Sequence, residues 1–124
     1  MNLVLKGKKR RIGFIHAWNG LEQVFKTELN FRIHLFAALF VFIAGLIVKL
    51  STLEWAIIVL VVGQVLVTEV INSVMERMVD YFKPEIHPQA KFIKDVAAGA
   101  VLVAAITAVI IGLIIFIPKI YHLF

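Results

Sequence analysis

The chain has 124 residues, 61% of them hydrophobic, with 13 Lys and Arg against 8 Asp and Glu for a net charge of +5. Ordinary soluble domains are about 45–50% apolar, so the expected solvent is a bilayer, and a chain this short is one domain, 1-124, with no room for a separate soluble catalytic unit. The absence of Cys excludes disulfide and thiolate chemistry.

The N-terminal segment, residues 1-26, opens with Lys6, Lys8, Lys9, Arg10 and Arg11. A basic tract that leads directly into apolar sequence fits anionic lipid headgroups, so membrane lipids and not nucleic acid are the expected partner. Phe14, Trp18, Leu21 and Phe25 then recur at helical spacing, with Glu22, Gln23 and Lys26 off that line. This reads as an amphipathic helix too polar to span, lying in the interface, packed on the spans, or both. No apolar core with a small-residue cleavage site follows the basic start, so no signal peptide is expected.

Three spans follow, at about 29-49, 53-82 and 91-118, each near or above the roughly 20 residues that a crossing helix needs. The first is interrupted by Arg32 and His34, and the second starts within "LSTLEW", where Ser51, Thr52 and Glu54 break the run and Trp55 begins the next. The stretch "KPEIHPQAK" reads as a loop because of Pro84 and Pro88. From Val96 to Ile117 no residue is charged, and Ala100, Ala104, Ala108 and Gly112 form a small-residue stripe suited to close helix packing. Lys83, Lys91 and Lys94 share one side with the basic N-terminus, whereas the first loop offers only Lys49. The positive-inside rule therefore puts the N-terminus in the cytoplasm and the C-terminus outside, in a multi-pass protein of the plasma membrane.

The second span carries the chemistry. Glu69, Asn72, Ser73, Glu76 and Asp80 fall within a helical band about 100° wide. Carboxylates at membrane depth mark ion pathways, proton relays or active sites more often than idle positions. Glu28, at the start of span one, and Lys94 and Asp95, at the start of span three, share the cytoplasmic level of Glu76 and Asp80. Spans one and three have no acidic residue in their outer halves, so the polar set reads as a cytoplasm-facing site and not a conduit. Glu28 and Glu76 are hard oxygen ligands of the kind Mg²⁺ accepts, Lys94 suits phosphate charge, and Glu69 is placed as a general base for an alcohol that stays in the lipid. The four His have no paired metal-ligand spacing. A small proton- or cation-coupled transporter using Glu69 is the competing function.

The stretch "EVINSVMERMVD" resembles the signature of the small prokaryotic diacylglycerol kinase family, through Glu69, Ile71, Asn72, Ser73, Glu76, Val79 and Asp80. It departs at Val74 and Met75, which concern packing. "WNGLEQVFKTELNFRIH" and "KDVAAGAV" extend the likeness over nearly the whole chain. The resemblance implies an all-α membrane protein that works as a homotrimer, transferring phosphate from ATP to a lipid alcohol with Mg²⁺. It implies Glu69 as catalytic base and Asn72 as the residue holding nucleophile and base in register. It further implies Glu28 and Glu76 as Mg²⁺ ligands, and Asp80, Lys94 and Asp95 on the ATP side. Glu85, Ile86 and His87 match positions lining the nucleotide, and Lys9 and His16 align with nucleotide contacts that are Arg and Tyr in the Gram-negative branch. Ala97 and Ala98 stand where that branch has Gly and Ser. Together with "NFRIH", "HPQAK" and "FIPKI", they resemble the Gram-positive undecaprenol kinase branch, which implies undecaprenol as acceptor, with diacylglycerol as the alternative.

Overall fold

The computed structural model describes residues 3–124, with side chains from 13 onward. All regular structure in this range is helical: α1 (Leu3–Thr27), α2 (Leu29–Val48), α3 (Thr52–Phe82) and α4 (Pro88–Leu123). α2, α3 and α4 are long and apolar enough to cross a membrane. At about 1.5 Å per residue α3 and α4 exceed a hydrocarbon core of about 30 Å, so their ends project into the headgroup zones, where their charged residues cluster.

Local chemistry sets each break. Glu28 is extended (φ −110°, ψ 107°) and separates α1 from α2. Arg32 reaches back to donate to the carbonyls of Phe25 and Lys26, at 3.1 and 2.9 Å, satisfying acceptors that the end of α1 leaves open. α2 stops where Lys49 turns left-handed (φ 57°, ψ 66°). Ser51 then starts α3 with a capping box: its hydroxyl accepts from the Glu54 amide at 3.2 Å, and Glu54 accepts from the Ser51 amide at 2.8 Å. Pro88 opens α4 at a position where its missing N–H is harmless, three residues before the expected start. α4 also runs through Pro118 to Leu123, beyond the expected span.

α3 packs chiefly along α4, and α2 leans on both. One apolar core lies at the end away from the α3–α4 loop, where Leu50, Ile58 and Ile115 are buried against Phe42 and Trp55 among others. Elsewhere Phe36, Phe40, Leu60 and Val103 face outward, as expected where lipid is the solvent. Of the small-residue stripe, Ala104 is buried and Ala100 exposed. Ala108 and Gly112 are half-buried and face α2 and α3, beside the buried Val101 and Ile115. On α1, Phe14 and Trp18 are exposed, so within this chain neither packs closely on the spans.

Gly45 is where α2 meets this core most closely. A Cβ there would stand 2.7 Å from Cη2 of Trp55 and 2.9 Å from Cδ1 of Leu50. Gly45→Ala is therefore expected to destabilise the fold by about 1–3 kcal/mol through overpacking, read as a lower midpoint of thermal unfolding in detergent. An unchanged midpoint would show that Trp55 swings aside freely.

Candidate active site at the α3–α4 end of the bundle

The buried face of α3 begins with Ile58, Val61 and Val65 and continues into Glu69, Asn72 and Ser73. A stripe that would otherwise only pack thus turns polar in its C-terminal half. Glu69 is 3% exposed, and its Oε2 lies 3.6 Å from Nε2 of His34 on α2. Ser73 turns its hydroxyl back to the Glu69 carbonyl at 3.1 Å, so it satisfies itself within the helix. Asn72 donates from Nδ2 to Oε1 of Glu76 at 3.4 Å, while its buried Oδ1 has no hydrogen-bond partner.

Glu28 sits at the start of α2, three-quarters buried, with Oε1 3.7 Å from the Arg77 guanidinium. Arg77 also donates to the Thr27 hydroxyl at 3.2 Å. Glu28 and Glu76 both lie within Coulombic range of Glu69. Across the α3–α4 contact Asp80 pairs with Lys94, and Glu76 is within electrostatic reach of that lysine. One chain of charge thus joins α2, α3 and α4 at a single end of the bundle.

Further toward the loop, a cavity of about 250 Å³ is lined by Asp80, Lys83, Glu85, His87, Lys94 and Asp95 among others. Asp95 pairs with Lys91, and Lys83 lies 3.9 Å from Glu85. His87 caps α4, its Nδ1 accepting from the Gln89 amide at 3.1 Å. Ile86 borders the same cavity and is fully exposed. His16 is exposed on α1, and among the described residues no hydrogen bond or ion pair ties it to this group. The Lys9 side chain lies outside the described residues.

Among the described residues no three acidic or His side chains converge as a ready-made metal cage. The donors present are nevertheless hard oxygens: the carboxylates of Glu28 and Glu76, and the unpartnered amide oxygen of Asn72. That set fits Mg²⁺, which takes few protein ligands and completes its shell with phosphate and water.

Two residues here were not singled out for the site by sequence. In the sequence His34 interrupts span one and ends "NFRIH" without a role of its own, and Arg77 sits just off the acidic band. Their partners, Glu69 and Glu28, depend on how α2 is set against α3. At the opposite end of the bundle Lys119 pairs with Glu54 at 3.0 Å and donates to the Lys49 carbonyl at 3.5 Å. The strongly charged groups of the bundle therefore divide between its two ends, and only one end holds the acidic band.

A model of the prokaryotic diacylglycerol kinase family matches residues 15–116. The chain belongs to this family. It is 46% identical over 106 residues to the undecaprenol kinase of Bacillus subtilis (strain 168), covering 86% of each chain. It is 38% identical over 113 residues to a diacylglycerol kinase of Synechocystis sp., covering 90% of this chain and 65% of that one. With the diacylglycerol kinase of Escherichia coli (strain K12) identity is 30% over 95 residues, 77% of this chain and 78% of the other. As a member of the diacylglycerol kinase family, the chain is a multi-pass membrane lipid kinase with ATP as phosphoryl donor, and the transporter reading gives way.

Proposed function

We propose that this diacylglycerol kinase family member phosphorylates undecaprenol, giving undecaprenyl phosphate and ADP. The observation that carries the choice of acceptor is the 46% identity to an undecaprenol kinase, against 38% and 30% to the diacylglycerol kinases. Ala97 and Ala98 point the same way, since neither offers the acceptor a hydroxyl. Residues 1-124 act as one domain, assembled as a homotrimer in the plasma membrane. The N-terminus and the site face the cytoplasm, the C-terminus lies outside, and α1 lies in the interface as an amphipathic helix.

The chemistry is phosphoryl transfer, which is served mainly by positioning and charge neutralisation. Glu69 takes the proton of the lipid hydroxyl. The hydroxyl oxygen forms its bond to the γ-phosphorus as the bond from that phosphorus to the β,γ-bridging oxygen breaks, and ADP leaves. Burial of Glu69 at 3% exposure excludes bulk water as a competing acceptor. Asn72 holds Glu76 through Nδ2 and keeps Oδ1 free. A buried carbonyl without a partner costs about 1–3 kcal/mol, and the reacting groups would supply that partner. Glu28 and Glu76 would hold Mg²⁺, which when bound neutralises phosphate charge. Asp80, Lys94 and Asp95 receive ATP at the loop-side cavity with Glu85, Ile86 and His87, and the family resemblance would add Lys9 and His16 as nucleotide contacts.

The test is direct. Purified protein with Mg²⁺, labelled ATP and equal amounts of undecaprenol and diacylglycerol is expected to label undecaprenol in at least about tenfold excess, an energy difference of about 1.4 kcal/mol. Preferential labelling of diacylglycerol would overturn the acceptor.

A further inference from the structure

Between α2, α3 and α4 lies a cavity of about 440 Å³. Its walls are Ala, Val, Leu, Gly and Phe residues, among them Ala38, Val65, Ala105 and Gly112, and among the described residues His34 is its one polar lining residue. That histidine is also the residue facing buried Glu69 across 3.6 Å. The cavity is therefore an apolar space with a single polar end, and that end adjoins the carboxylate proposed as base.

We infer that this cavity takes the hydrocarbon next to the acceptor's hydroxyl, and that His34 orients the hydroxyl against Glu69, selecting lipid alcohols that carry no other polar group. The inference rests on the lipid kinase reading with Glu69 as base and names the acceptor class of that site. Two features of the geometry support it.

The first is the separation of the pair. At 3.6 Å His34 and Glu69 stand apart by more than the 2.7–3.2 Å of a good N–H···O bond. An oxygen beside them meets both groups at ordinary length, accepting from Nε2–H and donating to Oε2. A hydroxyl has the one donor and the free lone pairs for this.

The second is what the walls lack. A polyprenol has only hydrocarbon beyond its hydroxyl, and apolar walls accept it without penalty. A diacylglycerol carries ester carbonyls close to the hydroxyl, and in this cavity His34 is already engaged and no other described side chain donates. Burying such a group unpaired is unfavourable by about 1–3 kcal/mol on mutational scales. The cavity also has unused room, because a Cβ on Gly112 would meet nothing within 4 Å.

The experiment uses the full chain in mixed micelles, with farnesol as a short ester-free prenol, undecaprenol, and dioleoylglycerol as acceptors. His34→Leu is expected to lower kcat/KM for both prenols about tenfold, the size of one substrate hydrogen bond, with KM for ATP unchanged. His34→Gln, which keeps a donor, recovers most of that loss. Gly112→Leu fills the cavity and is expected to raise KM for the prenols about tenfold, again without moving KM for ATP. An unmoved prenol KM in Gly112→Leu overturns the inference. Dissociation of the oligomer by that variant also overturns it, since it shows that a neighbouring copy fills the space. Equal losses in His34→Leu and His34→Gln reduce His34 to a packing role and overturn it as well. If the unmodified protein labels none of the three acceptors, the kinase reading itself fails, a result distinct from all of these.

Discussion

Glu69→Gln is expected to lower kcat for lipid phosphorylation by about 10²–10⁴-fold, the range general-base catalysis supplies, while leaving the protein folded. Gln has the same shape as Glu, so the packing around a side chain that is 3% exposed is kept. Its amide can still meet His34, but it has no carboxylate to take the hydroxyl proton. The substitution also takes a charge out of a buried site that Glu28 and Glu76 already load with negative charge. A like-charged neighbourhood makes removing one carboxylate neutral or favourable for folding, so the midpoint of thermal unfolding should hold or rise. Activity and stability therefore move independently in this variant. Retention of more than a tenth of the turnover with an intact fold would show that Glu69 is a structural carboxylate and that the base lies elsewhere.

Much of this arrangement was legible in the residue pattern, and the limits have physical causes. The break at "LSTLEW" was legible because Ser51 and Glu54 close a cap within four residues, and the stop after Phe82 because Pro84 and Pro88 cannot continue a helix. The polar band on α3 was legible because one helix fixes the angles among Glu69, Asn72 and Glu76. What no single-helix argument reaches is register between helices. His34 meets Glu69 and Arg77 meets Glu28 only because α2 is set against α3 at one particular height. Lys119 meets Glu54 across 65 positions of sequence for the same reason. The α4 stripe was legible in part: Ala104, Ala108 and Gly112 face the partner helices and Ala100 is exposed, because small residues record where close approach is sterically allowed and the partner helices decide how much of that surface is used. The end of α4 was less legible, because the helix continues through Pro118 to Leu123. A proline is costly inside a helix because it removes a hydrogen bond to the preceding turn, but near the end of a long one that loss falls where the backbone is close to water.

Glu76→Gln is expected to raise the Mg²⁺ concentration needed for half-maximal rate by at least about tenfold, the smaller end of what disturbed metal-site residues lose in affinity, and high Mg²⁺ should restore part of the rate. The structural consequence is small, because Asn72 donates to Oε1 of Glu76 and the Gln side-chain oxygen still accepts that bond. What changes is the charge on a hard oxygen ligand, which for Mg²⁺ is the main attraction a protein offers. Glu28→Gln should shift the Mg²⁺ response in the same direction. There the displaced partner is Arg77, whose side chain is 66% exposed, so loss of the pair strands no buried cation and folding is spared. A metal titration of both variants separates two roles for this pair of carboxylates. As ligands, each moves the Mg²⁺ midpoint and leaves the KM for lipid in place. As positioning groups for Glu69, they leave the midpoint unmoved and lower kcat at every Mg²⁺ concentration, and that second pattern would remove the metal from Glu28 and Glu76.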